Sequence, residues 1–175
     1  MHYRVLSRAD IGKLAQLDRT ETIEGVYYVR DGALVLKKEH WDVPDWSPAE
    51  KQERIADLQQ DYDRGAMFLG AFDGPALAGM AVLDHHPLHS GVGRLNLIGL
   101  WVSQPYRGQG IGKALFRWAA QAARERGAKA LYVSATPSEH TVRFYMALGC
   151  QRAAPVDPQL FEKEPEDIHL ELTLG

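Results

Sequence analysis

NLIGLWVSQPYRGQGIGK, residues 96–113, passes from an apolar run through a glycine-rich turn into a helix. Residues 95–102 are almost continuously apolar, as in a strand that is buried on both faces. Pro105 ends that strand. From Gly110 onward the apolar residues recur at helical spacing until Gly127, which is a common residue type at the end of a helix. The sequence therefore predicts a strand, a glycine-rich turn and a helix in direct succession.

The turn itself, RGQGIG at residues 107–112, predicts an anion site. A helix start leaves backbone N–H groups without partners, and glycines remove the side chains that would block a ligand. The helix dipole adds only about 0.3–1 kcal/mol for a nearby negative group, so useful affinity needs several N–H bonds to a multiply charged ligand. A pyrophosphate suits this geometry. The turn is not a Walker loop, which needs glycine at Arg107 and Ser or Thr at Ala114, and a dinucleotide fingerprint needs glycine at Lys113.

The remaining elements follow from capping residues, turn residues and hydrophobic periodicity. Ser7 to Asp10 predicts a helix start, and Thr136-Pro137-Ser138-Glu139 predicts a capping box for a helix that ends at Gly149. The predicted strands cover residues 3–6, 26–29, 34–36, 67–72, 76–83, 95–102, 130–134 and 168–174, and the predicted helices follow Asp10 and cover 48–64, 110–126 and 136–148. Residues 95–134 form a strand–helix–strand unit, which predicts parallel neighbours. The fold class is therefore α/β, an α+β mixed sheet flanked by helices, in which the strand order stays open.

Length and composition indicate an ordinary soluble globular protein. The 175 residues, 45% hydrophobic and 25% charged, predict a single domain, 1–175. A net charge of −3 gives no sign of nucleic acid binding, and a small cationic substrate is compatible with it. The single Cys150, expected to be a buried hydrophobe, excludes an internal disulfide and a multi-cysteine zinc site. Without a membrane-spanning stretch or a signal-peptide core, the expected location is cytoplasmic, with no membrane partner.

Two blocks resemble the cofactor half of the GNAT N-acetyltransferase superfamily. They are LIGLWVSQPYRGQGIGKALF, residues 97–116, with its R-x-x-G-x-G turn, and LYVSATPSEHTVRFYMALGC, residues 131–150. The resemblance implies a GNAT-like acyl-CoA N-acyltransferase fold with a splayed central parallel strand pair. It further implies acetyl-CoA as co-substrate, no metal, and direct attack by a primary amine of a small molecule or peptide in a ternary complex. The first half of the chain matches only in its order of strands and helices.

The resemblance also implies roles for individual residues. The backbone of Leu100, Trp101 and Val102 would pair with the pantetheine arm of the cofactor. The pyrophosphate would be bound by backbone N–H groups of Arg107, Gly108, Gln109, Gly110, Ile111, Gly112 and Lys113. Ser138, where many members have asparagine, would contact the cofactor arm with a shorter reach. Tyr145 would act as general acid for the leaving thiolate, although packing of its helix face is the alternative interpretation.

The general base stays open in the sequence. Asn96 stands where several members of the family carry a glutamate or histidine, and an amide cannot accept a proton near neutral pH. The candidates for this role are Glu21, Glu24, Asp84, His85, His86 and His169. Aromatic residues near the first hairpin, Tyr27, Tyr28, Trp41 and Trp46, either line a substrate pocket or form core or subunit contacts.

Three questions of function also stay open. A non-catalytic CoA-binding sensor or scaffold is the alternative to an enzyme, since Asn96 is not acidic, and an acyl group longer than acetyl is a further alternative. The sequence specifies neither the amine acceptor nor the oligomeric state. Exposed hairpins offer a possible homodimer contact.

Overall fold

The computed structural model describes residues 1–90 and 93–175. Within these ranges the helices are α1 (Pro48–Asp63), α2 (Ile111–Glu125), α3 (Glu139–Ala147) and α4 (Pro158–Lys163), with 3₁₀ helices at Arg8–Gln16 and Gln104–Tyr106. The strands are β1 (His2–Val5), β2 (Glu21–Arg30), β3 (Ala33–Val43), β4 (Met67–Asp73), β5 (Ala76–Pro87), β6 (Arg94–Val102), β7 (Ala130–Ala135), β8 (Gln151–Arg152) and β9 (Ile168–Thr173). None of the helices in these ranges has the length and apolarity that a bilayer crossing requires.

Seven strands form one sheet in the order β1-β4-β5-β6-β7-β9-β8, and β2 and β3 form a separate hairpin. Every neighbouring pair is antiparallel except β6 and β7, which are parallel and are joined by the crossover helix α2. This arrangement confirms the predicted mixed sheet flanked by helices.

The sheet carries a separate hydrophobic core on each face. On one face α2 and α3 bury side chains such as Leu115, Phe116 and Val142. On the other face the first 3₁₀ helix and α1 bury side chains such as Ile11 and Leu58. Full burial of a side chain of this size contributes about 1.5–3 kcal/mol. The two faces therefore carry different helices, and any opening through the sheet connects them.

The parallel pair separates after only three residue pairs. Its register joins Arg94, Leu95 and Asn96 of β6 to residues 130–132 of β7 and ends there. On the other side of β6, Leu97 and Gly99 lie opposite consecutive residues of β5, so Ile98 is an extra residue in β6. Such a bulge bends a strand and increases its twist. The bulge turns β6 away from β7, which confirms the predicted splay.

The splay corrects one expectation from the sequence. The second half of β6 was expected to be buried on both faces, yet Leu100, Trp101 and Val102 are only partly buried. Because no strand continues the ladder beside them, one edge of this segment faces the gap between β6 and β7. The apolar run therefore predicted the strand correctly, but it did not predict that the second half of the strand is only partly buried.

Other differences concern short or capped segments. The first helix is 3₁₀ rather than α, and α3 begins at Glu139 with Ser138 as its cap, two residues later than a box headed by Thr136 would place it. The short elements β8 and α4 were not predicted, because two and six residues are too few to display a period. Cys150 is buried, as expected.

Candidate active site

A cleft opens where β6 and β7 diverge. It has a volume of about 630 Å³, and its two walls are residues 97–102 of β6 and residues 133–135 of β7 with the following Thr136. The turn before α2 and the helix α3 lie along one end, and Trp46 and Arg54 from the region of α1 lie along the other. The cleft thus runs from one face of the sheet to the other.

The turn before α2 presents a row of backbone N–H groups. Gly108 has φ = 76° and Gly110, the N-cap, has φ = 81° and ψ = 1°, values that favour glycine. Ala114 is the first amide to bond within the helix, to Gly110 O at 3.1 Å. Within residues 1–90 and 93–175, the six amides of residues 108–113 have no protein acceptor. Six donors therefore remain available for an anion.

Arg107 was expected to offer its backbone N–H to the pyrophosphate, but in the structure this N–H is already hydrogen-bonded. Its N–H donates to Gln104 O at 3.2 Å, so the row of available amides begins one residue later, at Gly108. Its guanidinium donates to Val102 O at 3.1 Å through Nε and to Thr20 O at 2.9 Å through Nη1. Arg107 thereby fixes the turn to the end of β6 and to the segment before β2.

Tyr145 lies on α3 and lines the cleft. Its ring packs edge-on against Phe116 and Phe144, with centroid separations of 5.6 and 5.0 Å, and only 6% of the residue is exposed. Its hydroxyl has no hydrogen-bond partner among the described residues. Burial raises the pKa of Tyr145, so the phenol stays neutral at physiological pH and is available as a donor toward the cleft.

A family model described as the acetyltransferase (GNAT) family matches residues 36–150. The chain belongs to the GNAT family. The family membership predicted from the sequence is therefore confirmed. The β6–β7 pair and the glycine turn between β6 and α2 belong to the blocks of sequence that predicted it.

Two rat proteins are similar to this GNAT chain in sequence. N-acetyltransferase 8B of Rattus norvegicus is 34% identical over 110 residues, which cover 61% of this chain and 50% of the relative. N-acetyltransferase 8 from the same organism is 35% identical over 102 residues, covering 56% and 46%. The matched part of the chain spans about half the length of these curated relatives.

Solved structures share the fold of this GNAT chain. A nourseothricin acetyltransferase superimposes with a TM-score of 0.71 at 22% identity, covering 99% of this chain and 98% of that one. A putative streptothricin acetyltransferase from Bacillus anthracis, solved with acetyl coenzyme A, gives 0.67 at 16% identity, covering 99% and 97%. At these identities the likeness concerns the fold alone.

Ser138 lies outside the cleft of the GNAT chain. Its hydroxyl accepts the Thr141 N–H at 3.2 Å and donates to Thr141 Oγ1 at 2.9 Å, and the residue is 1% exposed. It lines a neighbouring groove beside β2 and forms an isolated bridge with Val26. Because its donor and acceptor are engaged in the helix cap, we leave Ser138 out of the cofactor-binding set.

His169, one of the candidate bases, is buried, and both of its ring nitrogens are hydrogen-bonded. Glu164 O can only accept, so in the neutral ring Nε2 carries the hydrogen and Nδ1 accepts the Tyr132 hydroxyl at 2.9 Å, while that hydroxyl accepts the Asp157 N–H at 3.0 Å. The Nε2–H then donates to Glu164 O at 3.2 Å. Burial lowers the pKa of His169, so the ring is neutral and both nitrogens are engaged. His169 therefore has no free ring nitrogen to accept a proton from a substrate.

Of the other candidate bases, some line the cleft and some do not. Glu21 lines the cleft, whereas Glu24 lies on the exposed hairpin and pairs with His40 at 2.9 Å. Asp84, His85 and His86 form the bulged end of β5 and do not line the cleft. Within the described ranges, these three residues place their metal-ligating atoms within 4.8 Å of one another. The Asp84 carboxylate, however, already accepts the backbone N–H groups of His85 and His86 at 2.7 and 3.3 Å.

Sequence reasoning missed Asp167, which lines the same cleft as Tyr145. Burial, together with the nearby charge of Glu164, raises the pKa of Asp167 to about 6. Its carboxylate has no hydrogen-bond partner in the described part of the chain. A carboxylate with a raised pKa is a stronger base than an ordinary one, which makes Asp167 a candidate for proton transfer. Its position just before a β-strand gave no signal, because its burial depends on distant residues.

Proposed function

We propose that this protein transfers the acetyl group of acetyl-CoA to a primary amine, with both substrates bound at once. One observation carries the proposal, namely that the cleft brings together the row of available amides before α2, an unpaired strand edge and the residue Tyr145 with its free hydroxyl. Each is suited to a different part of one extended, multiply charged thioester.

The residues of the cleft fit acetyl-CoA along its length. The N–H groups of Gly108, Gln109, Gly110, Ile111, Gly112 and Lys113 would bind the pyrophosphate, with the positive end of α2 behind them. The edge formed by Leu100, Trp101 and Val102 would pair with the amide groups of the pantetheine arm, as an added strand does. Arg107 contributes by holding the turn in place through its side chain.

The acetyl thioester supplies an activated acyl group, and the protein has to supply a neutral amine. An alkyl amine of pKa about 10.4 is uncharged in only about one molecule in a few thousand at pH 7, so proton removal is a large part of the task. Asp167, whose pKa is raised to about 6, is the carboxylate of the cleft whose environment best suits it to accept that proton.

Tyr145 supports departure of the thiol by donating a hydrogen bond. Because its pKa is raised above the ordinary value of about 10, complete transfer of its proton to a thiolate of pKa about 8.5 is unfavourable. A hydrogen bond to the sulfur requires no such transfer and stabilises the negative charge as it develops. This refines the general-acid role that the family resemblance implied.

Supporting this proposal, the two rat relatives are N-acetyltransferases by name, and the Bacillus anthracis protein was crystallised with acetyl coenzyme A. The experiment combines calorimetry of CoA binding with release of free thiol from acetyl-CoA in the presence of a panel of amines. Amine-dependent thiol release is the expected result. Tight CoA binding without thiol release for any amine would instead favour the sensor or scaffold.

A further inference from the structure

Two tryptophans and two arginines form a cluster on the α1 side of the cleft. Trp46, only 8% exposed, meets Trp101 edge to face at 5.9 Å and an interplanar angle of 75°. The Arg54 guanidinium carbon lies 4.7 Å from the Trp46 ring centroid and 5.8 Å from that of Trp101. The Arg19 guanidinium carbon lies 5.0 Å from the Trp46 centroid. Two cations are therefore held against one indole.

Backbone contacts hold the segment of Arg19 against the wall of the cleft, which Arg19 and Arg54 both line. Gln104 N–H donates to Asp18 O at 2.8 Å, and the Arg107 guanidinium donates to Thr20 O at 2.9 Å. Arg19 lies between these two anchored residues. The segment that carries Arg19 is thereby tied to the end of β6 and to the turn before α2.

The two guanidiniums have no carboxylate partner within the described ranges. Asp45 is bound by Lys51 Nζ at 2.6 Å, and Glu50 caps the start of α1. Asp45 Oδ1 accepts the backbone N–H of Arg19 at 3.1 Å, but within the described ranges no acidic oxygen lies within 4.0 Å of a guanidinium nitrogen of Arg19 or Arg54. Burial, followed by the charge of Arg54, lowers the pKa of Arg19, while the more distant carboxylates of Glu21, Asp45 and Glu50 act in the opposite direction. Two guanidiniums that line the same cleft without a direct carboxylate partner favour binding of an anion there.

We propose that Arg19 and Arg54 bind a carboxylate of the amine acceptor, so that the acceptor is an amino acid or a similar amine that also carries a carboxylate. Arginine recognises carboxylates through paired N–H donors, and its stacking on Trp46 orients the donors in advance. The faces of Trp46 and Trp101 would contact an apolar part of the same molecule. This inference rests on the proposed acetyltransferase function.

The position of the cluster assigns it to the acceptor rather than to the cofactor. The amides before α2 lie on the face of the sheet that α2 and α3 cover, whereas Trp46 and Trp101 pack with the core on the opposite face. The gap between β6 and β7 connects the two faces. An acceptor held at the arginines would therefore approach the thioester from the side opposite α2.

Matched acceptors test the inference on the full chain. We would measure thiol release from acetyl-CoA with alanine, leucine and phenylalanine and with their α-amides. Amidation removes the carboxylate and lowers the pKa of the amine, so the amides hold more neutral amine and a preference for the acids cannot arise from that source. The expected result is a kcat/KM about tenfold to a hundredfold higher for the acids, the range for a hydrogen bond to a charged group.

Arginine variants test which residues produce that preference. Arg19→Gln and Arg54→Gln should each raise KM for the acids by about tenfold or more and leave the amides almost unchanged. Arg30→Gln is the matched control, because Arg30 also stacks on an aromatic ring, that of Tyr28 at 5.6 Å, but lies on the exposed hairpin. It should leave both classes unchanged.

A binding measurement separates this inference from the proposed function. Tryptophan fluorescence would be titrated with N-acetylphenylalanine and with its amide in the unmodified protein and in Arg54→Gln. If no amine releases thiol but only the acid binds, and only with Arg54 present, the proposed function fails and the carboxylate site stands. Equal turnover of acids and amides with no effect of either arginine variant would overturn the carboxylate site and leave the transferase intact. Preference for phosphoethanolamine over all three acids would also overturn it.

Discussion

Replacing Gly110 by alanine tests the amide row most directly. Gly110 has φ = 81°, and a Cβ added there meets no heavy atom within 4 Å. The substitution therefore creates no clash, and its effect on folding is the cost of holding a non-glycine residue in the left-handed region, about 1–2 kcal/mol. Relief of this strain would rotate the neighbouring N–H groups, and the methyl group would point into open space beside them.

The expected loss of CoA affinity follows from the number of amides disturbed. An N–H bond to a charged group contributes about 1.5–3 kcal/mol, so losing one or two such bonds raises the dissociation constant tenfold or much more. Calorimetry with CoA measures this change, and urea denaturation measures stability. Acetyl-pantetheine, which lacks the diphosphate, is the second ligand, and its binding should be nearly unaffected.

Gly127 provides a matched control at the other end of the same helix. Its φ is 76°, and a Cβ there also meets nothing within 4 Å. Gly127→Ala should therefore lose similar stability while binding CoA normally. Equal CoA affinity in the two variants would refute the assignment of the diphosphate to this turn, as would an equal loss of acetyl-pantetheine binding in Gly110→Ala.

Four further predictions concern the cleft and its surroundings. Tyr145→Phe should lower kcat about tenfold to a hundredfold with little change in KM for acetyl-CoA, and unchanged kcat would remove the hydroxyl from the mechanism. The folded pKa of Asp167, about 6, exceeds the ordinary 3.8, so the stability that its protonated form contributes is complete below pH 3.8 and is lost as the pH rises through 6. In urea denaturation, Asp167→Asn should therefore raise the free energy of unfolding by about 1–2 kcal/mol at pH 8 but not at pH 3.5. The same variant should lower activity. His169 has a lowered pKa, so its contribution is present above pH 6.5 and is lost as pH falls; between pH 7 and 5 the stability of His169→Gln should fall less than that of the unmodified protein. A Cβ at Gly99 would lie 2.0 Å from Cη2 of Trp101, so Gly99→Ala should displace the indole and raise KM for the amine while calorimetry shows CoA affinity retained.

Local signals explain how well the cofactor side could be predicted. Glycines at positive φ, a strand-length apolar run and a helical repeat are encoded within about 30 neighbouring residues, and β6, the turn and α2 follow from them. Two details of the cofactor side differ because of individual hydrogen bonds that a residue pattern does not specify. The amide of Arg107 is engaged by Gln104, and Ser138 is engaged in its own helix cap.

The amino-acid sequence by itself determined the fold class, the family and the position of the glycine turn, because capping, turn geometry and periodicity act over a few residues. Only the tertiary structure decided where β6 leaves β7, since the bulge at Ile98 is defined by its pairing with β5. It also decided the burial that raises the pKa of Asp167 and the convergence of Arg19, Arg54 and Trp46. Burial and electrostatic proximity depend on residues far apart in the chain, which a local pattern does not contain.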